Sequence, residues 1–259
     1  MVADRCICLR KFEYSETSQI LTLFARSQGL VRVIAKGAHR TTKADASKFG
    51  GGIDLLNVGE TVFTVQPERD LGTLTEWNLR EGHPDLRRNL RGLYLGFYAA
   101  ELVGLLVEER DPHPDLFDRL EETLLELGTP RSEQVFIAFQ MDLLREAGYL
   151  PELSACSSCG TVLGTHHSAP STSFAPARGG VVCRNCEDAF PDRVTFDARL
   201  LGIMQYVLKL PPKSNGTPRR LPGLTRHQTD PINRILAEHV EHTLGHRLRL
   251  PRFVLRNGR

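Results

Sequence analysis

The chain has 259 residues, 41% hydrophobic and 25% charged, ordinary globular values that exclude a largely disordered polypeptide. Its net charge of +2 is too even to argue for a polyanionic partner, so any such case rests on where the charges sit. The opening MVADRCICLRKF lacks a signal-peptide core and no run approaches the roughly 20 apolar residues that span a bilayer, which leads to the expectation of a cytoplasmic protein with no membrane partner.

Five short β-type runs fill residues 1–80: Arg5 to Phe12, Ser18 to Ala25, Leu30 to Ala35, Gly52 to Gln66 and Leu71 to Trp77. Turn signals at Gly29, Gly37, Gly50 to Gly52, Gly59 and Pro67 to Asp70 punctuate them. Five strands in so small a domain predict a closed or partly closed barrel, with the OB-fold as the leading version. A helical period then begins at Leu86 and continues through Leu90, Leu93, Phe97, Leu102 and Leu105, one core helix that Asp111 to Pro114 breaks. Leu116, Leu120, Leu124 and Leu127 mark a second helix, and a third runs from Ser132, read as its N-cap, to Gly148. From Pro151 to Pro191 the periodicity vanishes. It returns at Asp197, with Leu200 and Met204, and again from Ile232 to Leu244, while Pro211 to Asp230 reads as a mobile basic loop. The expected class is therefore α+β: an OB-fold nucleic-acid-binding domain over 1–80, a helical body in two parts over 81–150 and 193–259, and a zinc ribbon inserted over 151–192.

Cys156-x-x-Cys159 and Cys183-x-x-Cys186 are separated by 23 intervening residues, a two-knuckle metal spacing. Two thiolates three residues apart in a tight turn can face one ion, and two such turns complete a tetrahedron. An all-cysteine shell leaves no open position, which predicts one structural Zn2+ rather than a hydrolytic centre. A redox dithiol is the competing reading, and His166 or His167 at the ribbon tip could substitute as ligands. Cys6 and Cys8, two apart on a strand, fit burial as small hydrophobes.

Residues 1–50 hold nine basic side chains against four acidic ones. The densest stretch runs from Arg32 through Lys36 and Arg40 to Lys43, with Lys48 beyond, where a strand passes into a glycine-containing loop able to reach phosphates. Arg247, Arg249, Arg252, Arg256 and Arg259 form a second cluster. Stacking aromatics stay unassigned among Phe12, Tyr14, Phe24, Phe49, Phe63 and Trp77. No P-loop, nucleophile elbow, H-E-x-x-H or dinucleotide fingerprint is present, so the chain reads as non-enzymatic. An RNA-binding or ribosome-associated protein, a carboxylate metal nuclease and a protein scaffold are the alternatives.

Leu9-Arg-Lys-Phe-Glu-Tyr14-Ser-Glu16-Thr17, then Leu21-Thr-Leu-Phe24, and Gly29 through Ala35-Lys36-Gly37 to Arg40 resemble the N-terminal signature of the RecO family of bacterial recombination mediators. The likeness extends over essentially the whole chain, including the C-x-x-C pairs and Leu244-Gly245-His246. It departs at the Gly50 to Gly52 run and in the tail from Arg249 to Arg252, which lacks a serine often found there. It implies a protein without nucleotide hydrolysis and with no cofactor beyond zinc, nucleoid-associated in the cytoplasm. Such proteins bind single- and double-stranded DNA, anneal complementary strands and, with RecR, help load RecA onto strands covered by single-stranded-DNA-binding protein. Lys36 and Arg40 are the DNA contacts the resemblance implies; Arg32, Lys43 and Lys48 follow from charge.

Overall fold

The computed structural model describes residues 1–38, 48–66, 69–163, 170–210 and 220–255. By contact the chain divides into two units, Met1–Pro130 and Arg131–Arg259.

The first unit opens with β1 (Val2–Ser15), β2 (Ser18–Ala25), β3 (Gly29–Lys36), a short β4 (Phe49–Gly50), β5 (Val58–Gln66) and β6 (Arg69–Glu81). Antiparallel pairing runs β3-β2-β1-β5-β6, and a parallel pairing of β3 with β6, through Val33 with Gly72 and Ala35 with Leu74, closes the ring. This is the expected five-stranded OB-like barrel. Bulges between Cys8 and Arg10, Glu13 and Ser15, and Val62 and Phe63 supply the bending that closure demands. Inside lie Cys6, Cys8, Leu21, Leu23, Val31, Val33, Phe63, Leu74 and Trp77. The Trp77 indole lies against Gly59, where a Cβ would stand 2.6 Å from the ring, so a side chain there would push the core apart. Burial drives the Cys8 thiol up to about 12 and the Cys6 thiol also far above its ordinary range, so both act as apolar filling.

The run expected as a strand from Gly52 pairs only from Val58. Turns closed by Gly52 N–H on the Phe49 carbonyl and Asn57 N–H on the Asp54 carbonyl occupy the intervening residues. The helix expected as one from Leu86 is two, α1 (Pro84–Arg88) and α2 (Leu90–Leu106). Asn89 between them is extended, φ −108°, and its side chain accepts from Gly92 N–H at 3.0 Å, restarting the helix with a new cap. Next, α3 (Pro114–Leu127) begins on a proline, whose missing N–H costs nothing in the first turn. Phe24 on β2 meets Phe117 on α3 with ring centroids 5.7 Å apart. Arg26 grips both oxygens of Asp118 at 2.7 Å, and that pairing holds the Asp118 carboxyl below its usual range.

The second unit begins with α4 (Ser132–Glu146), for which Arg131 is the N-cap and Ser132 the buried first helical residue; the cap expected at Ser132 lies one position earlier. A three-stranded sheet follows, β7 (Ser171–Ala175), β8 (Gly180–Val182) and β9 (Val194–Asp197), in the order β8-β7-β9. Then come α5 (Ala198–Lys209), capped by Asp197 through Arg199 N–H at 2.9 Å, α6 (Arg226–Leu244) and α7 (Pro251–Val254). Helix α6 starts inside the stretch expected as a loop. Gln228 accepts from Thr225 N–H at 3.0 Å, one half of a capping box that starts the helix before Pro231. Helix α4 packs against α5 and α6, and Gln140 donates to Asn233 at 2.6 Å in that interior. Two bonds tie the approach to the cysteines to these helices: Gln205 donates to the Leu153 carbonyl and His239 Nε2 meets the Tyr149 carbonyl, both at 2.7 Å.

No helix of the described residues is long and apolar enough to cross a membrane.

Candidate metal centre and nucleic-acid interface

The cysteine knuckles are built by backbone hydrogen bonds. Gly160, at φ +76°, donates to the Cys156 carbonyl at 2.8 Å and turns the first pair back on itself. The Cys183 carbonyl accepts from Cys186 N–H at 2.9 Å and Glu187 N–H at 3.0 Å in the second. Cys183 N–H in turn donates to Cys156 Sγ at 3.2 Å, joining the two. As a result the four Sγ atoms of Cys156, Cys159, Cys183 and Cys186 all lie within 4.8 Å of one another. Cys159 and Cys183 are 3.7 Å apart, against the about 3.8 Å expected for the edge of a tetrahedron with metal–sulfur bonds of about 2.3 Å. The donor set and its spacing fit one tetrahedral ion.

Donation from the Thr161 hydroxyl and amide holds the Cys159 thiol at about 6, whereas hydrogen-bond sharing with Cys183 pushes Cys186 up to about 12. A bound ion would hold all four as thiolates. Among the described residues the apolar support is thin: Cys156, Ala175 and Val182 with Cys183, Cys186 and Phe190 against them. His166 and His167 lie outside the described residues.

The barrel sorts the basic cluster into tied and outward-facing groups. Arg5 contacts Asp118 and Glu121, Lys11 is 3.0 Å from Asp54, and Arg26 holds Asp118. Arg32 and Lys36 instead point outward from β3 and are exposed, as is Arg10 on β1. Among the described residues these three have no ion-pair partner. Register sets Arg10 opposite Thr22 and Thr22 opposite Arg32, one row across three strands. Lys48 is exposed elsewhere, on a groove of about 480 Å³ whose lining includes Glu60, Glu76 and Trp77. Arg40 and Lys43 lie outside the described residues, as do Arg256 and Arg259. Arg10 lies outside the dense basic stretch of the sequence and joins the row only through strand pairing, and Phe12 and Tyr14, 58% and 65% exposed, are the barrel aromatics that reach solvent.

A closed OB-like barrel with an outward basic row, followed by a helical body bearing a four-cysteine ribbon, defines a class of small-barrel proteins with a cysteine knuckle able to hold an ion. Within that class, the family models described as "Recombination protein O N terminal" and "Recombination protein O C terminal" match residues 1–83 and 87–251. The chain belongs to the RecO family of DNA repair proteins. A DNA repair protein RecO of Rhodopirellula baltica is 33% identical over 236 residues, 88% of this chain and 84% of its own. Another from Anaeromyxobacter is 30% identical over 250 residues, 96% and 93% of the two chains. A third, from Bacillus subtilis, is 33% identical over 205 residues, 77% and 75%.

Proposed function

We propose that this chain is a non-enzymatic recombination mediator that binds single- and double-stranded DNA on the outer face of its barrel and anneals complementary strands. With RecR it helps load RecA onto strands covered by single-stranded-DNA-binding protein, in the cytoplasm and on the nucleoid. The observation that carries the DNA assignment is the row formed by Arg10 and Arg32 with Lys36 beyond it, exposed and without acidic partners among the described residues while neighbouring cations are tied to carboxylates. Arg40, Lys43 and Lys48 extend the same phosphate-binding reading. Phosphate contacts lower the repulsion between two approaching strands and leave their bases free to pair. The four cysteines hold one structural Zn2+, which organises the ribbon over 151–192 between the helical parts over 81–150 and 193–259 and takes no part in chemistry.

A salt titration of fluorescent single-stranded DNA binding tests the site. Each lost phosphate contact should reduce the slope of log affinity against log salt by about 0.7, so Arg32→Glu/Lys36→Glu is expected to weaken binding and flatten the slope. Unchanged binding by a folded double variant would move the site off the barrel, and no binding by wild type at low salt would refute the DNA reading.

A further inference from the structure

The outer face of β1, β2 and β3 is graded from one end to the other. At the end nearer α3, Ile7, Phe24 and Leu30 face out and are buried. One row along lies Arg10, Thr22 and Arg32; the next is Phe12, Ile20 and Ile34, and beyond it Ser18 pairs with Lys36. A strip of apolar side chains therefore runs between a row with two arginines and a row with a lysine. Ile20 and Ile34 are half-buried and floor the strip, while Phe12 stands above them. Tyr14, two residues on from Phe12 and also exposed, stands at the bulge between Glu13 and Ser15 beside the β1–β2 turn.

Phe24, Phe49, Phe63 and Trp77 are all buried, so Phe12 and Tyr14 are not surplus from an overfilled core. Solvent exposure of two rings beside three cations suits a ligand that is anionic along one edge and flat and apolar along the other. Unpaired nucleotides have that character. A duplex presents phosphates but keeps its base faces stacked inside, and an acidic peptide offers charge without a regular series of flat faces.

We infer that Phe12 and Tyr14 are base-stacking residues: this face holds single-stranded nucleic acid with bases against the two rings and phosphates against Arg10, Arg32 and Lys36. The inference rests on the reading of this face as the DNA site and adds to it a preference for unpaired bases. Stacking is blind to base identity because every base has a π face, so the platform selects strandedness and not sequence. It holds a strand before annealing and releases it once pairing buries the bases.

The two contributions separate in one experiment. A fluorescent oligothymidine and a length-matched abasic strand carry the same phosphates, and their affinities are measured over a salt series with wild type, Phe12→Ala/Tyr14→Ala and Arg32→Ala/Lys36→Ala. Both aromatic positions are exposed, so their loss should leave the melting temperature unchanged, which a thermal scan checks. Wild type is expected to favour oligothymidine by about tenfold or more. The aromatic variant should lose that preference and keep the salt slope, and the cationic variant should keep the preference with a shallower slope. Equal binding of the two strands by wild type, or a preference that survives in the aromatic variant, overturns the stacking role even if DNA binding stands. Failure of wild type to bind either strand at low salt overturns the DNA reading itself.

Discussion

His83 is the N-cap of α1 with left-handed backbone angles, φ 51° and ψ 60°, and its ring is 1% exposed. Neither ring nitrogen has a hydrogen-bond partner among the described residues. Burial lowers its pKa below the ordinary histidine value, with Glu81 opposing that shift and Arg87 adding to it. The unfolded chain takes up a proton near pH 6.5 while the folded ring stays neutral, so the unfolded state binds more protons below that point. Stability from this residue is therefore complete above about pH 6.5 and declines as pH falls toward the folded pKa, by up to about 1.4 kcal/mol per pH unit. His239, buried against Phe174 and also lowered mainly by burial, acts in the same direction in the second unit. Urea midpoints should fall between pH 7 and pH 5.5, and His83→Asn, which tolerates the left-handed backbone, should have a shallower pH dependence than wild type. An NMR titration showing the His83 ring protonated near pH 6.5 in the folded protein would contradict this account.

Elements repeat the lesson that local geometry decides what a side chain is for. Gly29 starts β3 at φ +68°, and a Cβ there would sit 2.2 Å from the Asp111 carbonyl oxygen, in the stretch where Leu30 bridges Glu109. Gly29→Ala should destabilise the protein by about 2 kcal/mol or more in urea unfolding, since it combines a disfavoured backbone with a clash against main chain that has no free end to move. An alanine variant as stable as wild type would show that the turn can reopen. The glycine was legible as a turn signal; the approach of Asp111 was not, because it joins positions far apart in sequence. The same divide separates the two halves of the site. C-x-x-C spacing announces its geometry, since each pair is a local turn, and the structure brings all four sulfurs together. The aromatics could not be sorted, because strict alternation from the inward Cys6 and Cys8 would send Arg10 and Phe12 into the core. One extra residue, Leu9, lies between the pairs Cys8 with Leu23 and Arg10 with Thr22, and that bulge turns both side chains outward. For helices, Asn89 and Thr225 set boundaries that the apolar period alone does not give, Asn89 restarting α2 and Thr225 starting α6 ahead of Pro231.

At the scale of the whole molecule, the two units hold themselves together by different means. The first encloses a barrel core with Trp77, Phe63 and a set of aliphatic side chains. In the second, the described residues around Cys156 and Cys183 have a small apolar cluster beneath them, which offers little to offset the entropy of ordering the knuckles. An ion bound by these four cysteines would contribute its binding free energy to the folding of the ribbon. Removal of the ion by a chelator, or Cys156→Ser, should unfold the knuckles and lower the temperature at which the second unit melts. The barrel should stay folded, and salt-dependent single-strand binding by Arg10, Arg32 and Lys36 should survive with its slope intact. Circular dichroism melts and oligonucleotide titrations of the full chain with and without chelator read both consequences. Loss of strand binding together with the metal would instead assign the ribbon a direct share of the DNA contact, whereas an unchanged melt would mean that the thiolates hold their geometry without an ion. If the proposed strand-binding face is the one on the barrel, its register is set by the strand pairing of β1, β2 and β3 alone, which is why metal removal should leave the salt slope intact.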